Sequence, residues 1–204
     1  MNVVFDFGGV LFGWKPAQLI ASTFPELVSN DKAAHGLGRA VFSHDDWQQF
    51  DAGMLDIAHV VRRTALRLAL PHDRLLTLVE GIGDYLAPIP ETVAVLADLR
   101  ARRDAGANLK LYYLSNMPQP YARVLQRRHD FLNWFDGGVF SGDVKLIKPD
   151  PAIYQLLQRQ YQLEPSQTFF IDDLPHNIAA AQAEGWRAAR FESADVLKRQ
   201  IPVI

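Results

Sequence analysis

Five short apolar segments alternate with helical patterns along much of this chain, and this alternation constrains the fold more than any other feature. Buried strands show apolar runs of this length. The runs cover residues 2–6, 109–114, 138–140, 168–171 and 187–191. Helical spacing of apolar residues separates four of them, over residues 90–103, 119–128, 151–161 and 178–184. The alternation predicts a doubly wound, Rossmann-like parallel α/β sheet, with its active site beyond the carboxyl ends of the strands.

One long segment between the first and second strands breaks this alternation. Residues 45–50, 57–70 and 74–82 each place apolar side chains on one helical face, with Gly53 and Pro71 as breaks between them. We therefore predict a core of residues 1–14 and 88–204, into which an α-helical cap domain of residues 15–87 is inserted. An insertion at this point lies above the predicted site as a lid.

The composition excludes several classes of protein. The 204 residues are 49 % apolar and 22 % charged, which is typical of a globular domain. A net charge of -2 with dispersed Lys and Arg argues against a nucleic-acid partner. No apolar run approaches the ~18 residues of a membrane helix, and the amino terminus lacks the basic region of a signal peptide. Cysteine is absent. We expect a cytoplasmic protein without a membrane partner.

Asp6 ends the first predicted strand and is followed by Phe7, Gly8 and Gly9. A carboxylate at this edge can act as a nucleophile, and the two glycines allow the backbone to turn tightly and approach a ligand. The same residues are also good turn formers, so Asp6 alone has a purely structural alternative as a turn cap.

Asp172 and Asp173 follow the fourth predicted strand in the string FFIDDLPHN. Adjacent carboxylates repel each other, and burying both at a sheet edge is unfavourable unless a cation or hydrogen bonds compensate. Oxygen ligands of this kind suit Mg²⁺. The alternative is that one of the two caps the next helix.

Two further strands end in residues that can bind an anion. Ser115 and Asn116 precede a helix, and a hydroxyl together with the free backbone N–H groups of that helix can hold phosphate oxygens. The local evidence taken alone favours the alternative, which is an ordinary cap for that helix. Lys148 lies in a loop before Pro149 and can neutralise charge beside a carboxylate and a phosphate. Lys145 is its competitor, but the position before proline holds Lys148 extended.

These four features fall at the carboxyl ends of four successive strands, and together they resemble the four motifs of the haloacid dehalogenase superfamily. The matching strings are VVFDFGGVLF around Asp6, LYYLSN around Ser115, KPDPAIY from Lys148, and FFIDD around Asp172 and Asp173. The helical insert resembles the C1-type cap of this superfamily. The resemblance covers both ends of the chain.

The resemblance implies a role for each of these residues. Asp6 is the nucleophile that becomes an aspartyl phosphate, with Ser115 and Lys148 as its catalytic partners. The implied phosphate-binding set comprises Ser115, Asn116, Lys148, Gly8 and Gly9. The implied Mg²⁺ ligands are Asp6, the backbone carbonyl of Gly8, Asp172 and Asp173. The expected activity is Mg²⁺-dependent hydrolysis of a phosphomonoester of a small metabolite.

Gly8 departs from the superfamily pattern, because most of its phosphatases carry a second Asp there as general acid and base. Glycine cannot protonate a leaving group, a contribution worth ~10² to 10⁴ in rate. A good leaving group, a proton donor from the cap, or water can replace it. The cap segment WQQFDAGMLD is similar to a bacterial subgroup that includes α-D-glucose-1-phosphate phosphatase. We expect Trp47 and Phe50 in this segment to pack in the cap interior.

Two other functions remain open at this point. A 2-haloacid dehalogenase uses the same Asp to attack carbon and tolerates Gly8, but gains nothing from the adjacent acids Asp172 and Asp173. A weakly catalytic phosphate-binding module also tolerates Gly8, but needs no nucleophile. A response-regulator receiver has its acidic pair and phosphoacceptor in the opposite order along the chain.

Overall fold

The computed structural model of the chain describes residues 1–201. Its centre is one sheet of five parallel strands in the order β3-β2-β1-β4-β5. The strands are β1 (Asn2–Phe5), β2 (Lys110–Ser115), β3 (Gly137–Phe140), β4 (Thr168–Asp172) and β5 (Arg187–Arg190). All four pairings are parallel. The predicted parallel α/β sheet is confirmed, and each strand lies within about a residue of its predicted bounds.

Five α-helices form the insert that follows β1. They are α1 (Pro16–Thr23), α2 (Asp31–Phe42), α3 (Asp45–Asp51), α4 (Ile57–Leu68) and α5 (His72–Tyr85). The last three correspond to the predicted helices. The bounds of α1 and α2 were not predicted, and α2 carries Gly36 and Gly38, which weaken its helical signal. Asn30 marks the start of α2, where its side chain accepts a hydrogen bond from the backbone N–H of Ala33.

Six α-helices follow in the second part of the described chain, residues 88–201. They are α6 (Pro90–Asp104), α7 (Gln119–Arg128), α8 (Ser141–Val144), α9 (Pro151–Tyr161), α10 (Pro175–Ala183) and α11 (Ala194–Gln200). The helices α6, α7, α9 and α10 confirm the four helical patterns of the sequence. Helix α10 begins three residues before its predicted start, because Pro175 fits the first turn of a helix.

Both faces of the sheet are covered. Val3 and Phe5 belong to one apolar cluster and Val4 to another, so successive residues of β1 are buried on opposite faces. The connections from β1 to β2 and β3 build one side of the sheet, and β4 and β5 lie on the other side of β1. The crevice between β1 and β4 is therefore the topological switch point, where α/β proteins bind ligands.

The two segments that lead into and out of the helical insert run side by side. Gly13 N–H donates to the carbonyl of Ala87 at 2.9 Å, and Ile89 N–H donates to the carbonyl of Leu11 at 2.8 Å. The predicted domain boundaries, 14/15 and 87/88, fall on these hydrogen-bonded segments. None of the helices within residues 1–201 has the length and apolar character needed to cross a bilayer.

Candidate active site

The carboxyl ends of β1 and β4 bring three acidic residues together. Phe5 pairs with Ile171 in the parallel register, so the next residues, Asp6 and Asp172, lie side by side. One side-chain oxygen from each of Asp6, Asp172 and Asp173 lies within 4.8 Å of the others. Asp6 and Asp172 are buried, and Asp173 is half-buried. The arrangement gives a cluster of oxygen ligands that is large enough to surround a single small cation.

Lys148 reaches this cluster from the loop before α9. Its Nζ lies 2.9 Å from an oxygen of Asp6 and 2.6 Å from an oxygen of Asp172. Asn116 fixes the backbone of Lys148, since its side-chain amide donates to the Lys148 carbonyl at 2.9 Å and accepts from the Lys148 N–H at 2.8 Å. The side chain of Asn116 thus positions Lys148. The backbone N–H of Asn116 is then the group of this residue that can make the predicted phosphate contact.

The electrostatics of the cluster are dominated by burial and by repulsion between the acids. Burial raises the pKa of Asp6 to about 7, with Asp172 adding to the rise and Lys148 opposing it. Burial and the charge of Asp172 also raise the pKa of Asp173. Burial acts to lower the pKa of Lys148, but Asp172 and Asp6 more than offset it, and this pKa lies above its ordinary value. Three acids face one ammonium group, so the site favours a further positive charge.

Asn177 belongs to the site, although its role is not evident from the sequence. Its side-chain amide contacts both carboxylate oxygens of Asp172 at 3.0 Å, and the backbone N–H of Leu174 donates to the same carboxylate at 2.8 Å. Asn177 is buried on the first turns of α10. Its spacing of five residues from Asp172 in IDDLPHN was the only available signal, and it identifies no partner by itself.

The two glycines after Asp6 occupy different environments. Gly9 has φ +76°, and a Cβ there would lie 2.6 Å from Oδ2 of Asp173, so only glycine fits between the turn and the acid. Its N–H donates to the carbonyl of Phe12 at 2.8 Å. At Gly8, in contrast, the nearest atom to a Cβ would be the Cβ of Trp14 at 3.9 Å. There is open space at Gly8 beside the predicted nucleophile.

Ser115 is buried at the end of β2. Within residues 1–201, no other protein group forms a hydrogen bond with its hydroxyl, which leaves that hydroxyl available to a ligand. Two residues later, Met117 N–H donates to the hydroxyl of Ser141 at 2.8 Å, and that hydroxyl donates to the carbonyl of Asp51 in the helical insert at 2.6 Å. Ser141 therefore joins the insert to the loop that carries the predicted phosphate site.

The aromatic residues of the insert pack against each other. Trp47 and Phe50 are buried with ring centroids 5.3 Å apart, which confirms that they pack in the interior. The ring centroid of Phe42 lies 4.7 Å from that of Trp47 and 5.2 Å from that of Trp14. Trp14 contributes to the wall of a cavity of about 590 Å³, which Leu19, Leu86 and Pro88 also line. These four aromatic rings therefore form a continuous series from the insert to Trp14, which lies beside Gly8.

Comparison with known proteins gives relatives with hydrolytic activities. The chain is 26 % identical over 182 residues to a sesquiterpene phosphatase from Aspergillus oryzae, covering 89 % of this chain and 85 % of that protein. It is 26 % identical over 150 residues to (S)-2-haloacid dehalogenase 1 from a Pseudomonas species, covering 72 % of this chain and 60 % of that dehalogenase.

The fold matches solved structures over nearly its whole length. One is a HAD family enzyme from Bacteroides thetaiotaomicron, solved in complex with magnesium and inorganic phosphate. The TM-score is 0.71 at 18 % identity, covering 94 % of this chain and 93 % of that one. Residues 1–185 match the family of haloacid dehalogenase-like hydrolases. The chain therefore belongs to the haloacid dehalogenase-like hydrolase family and is a hydrolytic enzyme.

Proposed function

We propose that this protein is a Mg²⁺-dependent phosphomonoesterase for a small phosphorylated metabolite, with Asp6 as its nucleophile. The observation that carries this proposal is the position of Asp6, whose carboxylate shares one buried site with Asp172, Asp173 and the ammonium group of Lys148. Two features of a phosphatase site lie side by side there. The acid cluster attracts a metal cation, and the ammonium group of Lys148 attracts a phosphate.

The residues of the site fit Mg²⁺. Mg²⁺ prefers carboxylate, carbonyl and water oxygens, and the three acids supply carboxylates within 4.8 Å of one another. Asp6, Asp172, Asp173 and the carbonyl of Gly8 would hold the ion. Burial, together with repulsion between the acids, raises the pKa of Asp6 and of Asp173, and a bound cation would offset that repulsion. When bound, the ion offsets the repulsion between the nucleophile and an anionic substrate.

The residues of the chain itself then carry the reaction. Lys148 and the hydroxyl of Ser115 bind the phosphoryl oxygens, with the backbone N–H of Asn116 beside them. Asp6 attacks phosphorus and forms an aspartyl phosphate, which water hydrolyses. Lys148 keeps its charge because its pKa is raised, so it stabilises negative charge on the phosphoryl group throughout the reaction. Residues 15–87 act as the cap over this site.

Two comparisons support this proposal. The relative from Aspergillus oryzae is a phosphatase by name, and the structural neighbour from Bacteroides thetaiotaomicron contains both magnesium and inorganic phosphate. We also propose that the protein is cytoplasmic and that its partner is a phosphorylated small molecule. Both proposals rest on the composition and charge of the chain.

Two substrate classes have specific support. The similarity of the cap segment WQQFDAGMLD to a glucose-1-phosphate phosphatase subgroup favours a sugar phosphate, whose anomeric oxygen leaves easily. The relative named as a sesquiterpene phosphatase favours the phosphate of an apolar alcohol. The cavity beside Trp14 is lined mainly by apolar side chains and has a volume that suits a small organic group, which agrees with the second class.

The second candidate function is 2-haloacid dehalogenation. The haloacid dehalogenase relative supports it, and so does Gly8, because displacement of a halide from carbon requires no acid on the leaving group. The cluster of three acids opposes it, since these acids repel a carboxylate substrate and the single ammonium group of Lys148 does not neutralise all three.

Phosphate release separates these functions. We expect the wild-type protein to release phosphate from p-nitrophenyl phosphate with Mg²⁺ but not with EDTA, and Asp6→Asn to be inactive. The exposed residue Asp195 provides the matched control, since Asp195→Asn should retain full activity. A panel with glucose 1-phosphate and a terpenyl phosphate ranks the substrate classes. Chloride release from 2-chloropropionate, without phosphate release from any ester, would instead establish the dehalogenase.

A further inference from the structure

Gly8 has no side chain that can donate a proton, so the proposed reaction needs another proton donor for the leaving oxygen. An alkoxide is a poor leaving group, and its protonation is worth ~10² to 10⁴ in rate. The donor must come from another part of the protein. We propose that Asp51, the last residue of α3, gives this proton to the leaving oxygen, an inference that rests on the proposed phosphatase function.

The position of Asp51 is fixed by contacts between the insert and the core. The carbonyl of Asp51 accepts from the Ser141 hydroxyl at 2.6 Å, and that hydroxyl accepts from Met117 N–H at 2.8 Å. Met117 follows Ser115 by two residues, or two Cα–Cα steps of ~3.8 Å. Asp51 is therefore held against the same loop as the predicted phosphate-binding hydroxyl.

Gly53 sets how closely this part of the insert approaches the core. It has φ +67°, and a Cβ there would lie 2.4 Å from the carbonyl oxygen of Gly142. A glycine at position 53 avoids this collision, so the insert can approach the backbone of Gly142 closely. The insert is thus anchored to the core within two residues of Asp51, on the loops that surround the carboxyl ends of β2 and β3.

The environment of Asp51 favours its protonated form. Its side chain is half-buried and, within residues 1–201, has neither a hydrogen-bond partner nor a cation partner. It ends a helix, where the helix dipole disfavours a negative charge. Burial raises the pKa of Asp51 well above its ordinary value, and the charge of Asp51 in turn contributes to the raised pKa of Tyr121 on α7. The acid therefore lies near α7, in an environment that favours its protonated form.

Two other acids of the insert have partners that Asp51 lacks. Asp46 is the other half-buried acid, and it forms ion pairs with Arg63 and His44. Asp56 is exposed and bonded to His59. The ion pairs engage the carboxylate of Asp46, and the hydrogen bonds from His59 lower the pKa of Asp56. Among the described residues of the insert, Asp51 is therefore the half-buried acid whose carboxyl group is not engaged.

The proposed step balances in atoms and charge. An oxygen of Asp6 bonds to phosphorus as the bond from phosphorus to the ester oxygen breaks. The electron pair of that bond stays on the ester oxygen, which takes the proton of Asp51 and leaves as an alcohol. Asp51 then accepts a proton from the water that attacks the aspartyl phosphate. The bond from phosphorus to Asp6 breaks, and inorganic phosphate departs from a restored enzyme.

A series of esters with increasingly basic leaving oxygens tests this role. We choose p-nitrophenyl, phenyl and benzyl phosphate with Mg²⁺, because the first needs no proton on its leaving group and the last needs one. We expect Asp51→Asn to lower kcat for benzyl phosphate by ~10²-fold or more and to change p-nitrophenyl phosphate hydrolysis less than about threefold. Asp56→Asn, in the same segment, should leave the whole series unchanged.

The outcomes are separable. An equal loss on all three esters, or no loss on benzyl phosphate, overturns the role of Asp51. If wild type releases no phosphate from any ester, the proposed function itself has failed. If Asp51→Asn does not fold, Asp51→Glu and Asp51→Gln form a pair of equal size, and only the Gln variant should lose benzyl phosphate selectively. Gly8→Asp in the Asp51→Asn background should restore benzyl phosphate hydrolysis, because the space at Gly8 accepts the side chain.

Discussion

The ammonium group of Lys148 lies 2.9 Å from the carboxylate of Asp6, and both side chains are almost entirely buried. The same ammonium group contacts Asp172 at 2.6 Å. Lys148 therefore offsets part of the repulsion between the two acids that the parallel register of β1 and β4 places side by side. Its position links the stability of the fold to the chemistry of the site.

Replacing Lys148 tests this link directly. Lys148→Met leaves Asp6 and Asp172 facing each other without a cation, and we expect it to lower the free energy of unfolding by ~3 kcal/mol in EDTA. Urea unfolding at neutral pH measures this loss. Lys110→Met is the matched control, because Lys110 is exposed in its pair with Asp136, and we expect a change below ~1 kcal/mol. Equal losses of unfolding free energy in the two variants would show that the buried ion pair contributes no more to stability than the exposed one.

Added Mg²⁺ should stabilise the wild-type protein against heat. Native-state binding at ~100 times the dissociation constant adds ~2.7 kcal/mol to the free energy of unfolding. Asp173→Asn removes one of the three acids and should abolish most of this stabilisation, whereas Asp195→Asn should retain it. The measurement is the melting temperature with increasing Mg²⁺. A melting temperature of the wild type that does not respond to Mg²⁺ would contradict the metal site.

Asn177 orients the acid that faces both Lys148 and the predicted ion. Asn177→Ala removes the two contacts to Asp172, and we expect it to weaken Mg²⁺ binding by ~10- to 100-fold. It should also destabilise the protein by ~2 kcal/mol, since Asp172 then loses buried hydrogen bonds. Titration calorimetry and urea unfolding measure the two effects. The exposed neighbour His176 serves as the control, and His176→Ala with the same effects would refute this role of Asn177.

We expect opposite changes in stability when two glycines of the insert are replaced by alanine. Gly53→Ala combines φ +67° with a collision against Gly142, and we expect it to destabilise the protein by ~2 kcal/mol or more. Gly36 lies inside α2 with open space around its Cβ position, so Gly36→Ala should stabilise by ~0.5 to 1 kcal/mol. Thermal unfolding compares the two. A stabilising Gly53→Ala would show that the insert does not approach the core this closely.

The alternation of apolar runs and helical patterns by itself determined the parallel α/β sheet. It also located Asp6, Ser115, Asp172 and Asp173 at the ends of strands. Such predictions succeed because strand periodicity is local and because parallel strands must end at one edge of their sheet. The string of motifs was therefore sufficient to identify the family.

Only the tertiary structure decided which side chains contact each other at that edge. It showed that Asn116 holds the backbone of Lys148, that Asn177 orients Asp172, and that Ser141 anchors Asp51. Each contact joins a side chain to a group at another position in the chain, and its geometry depends on register, loop path and burial together. Local patterns carry none of these, because a hydrogen bond is decided by the position of both partners in space.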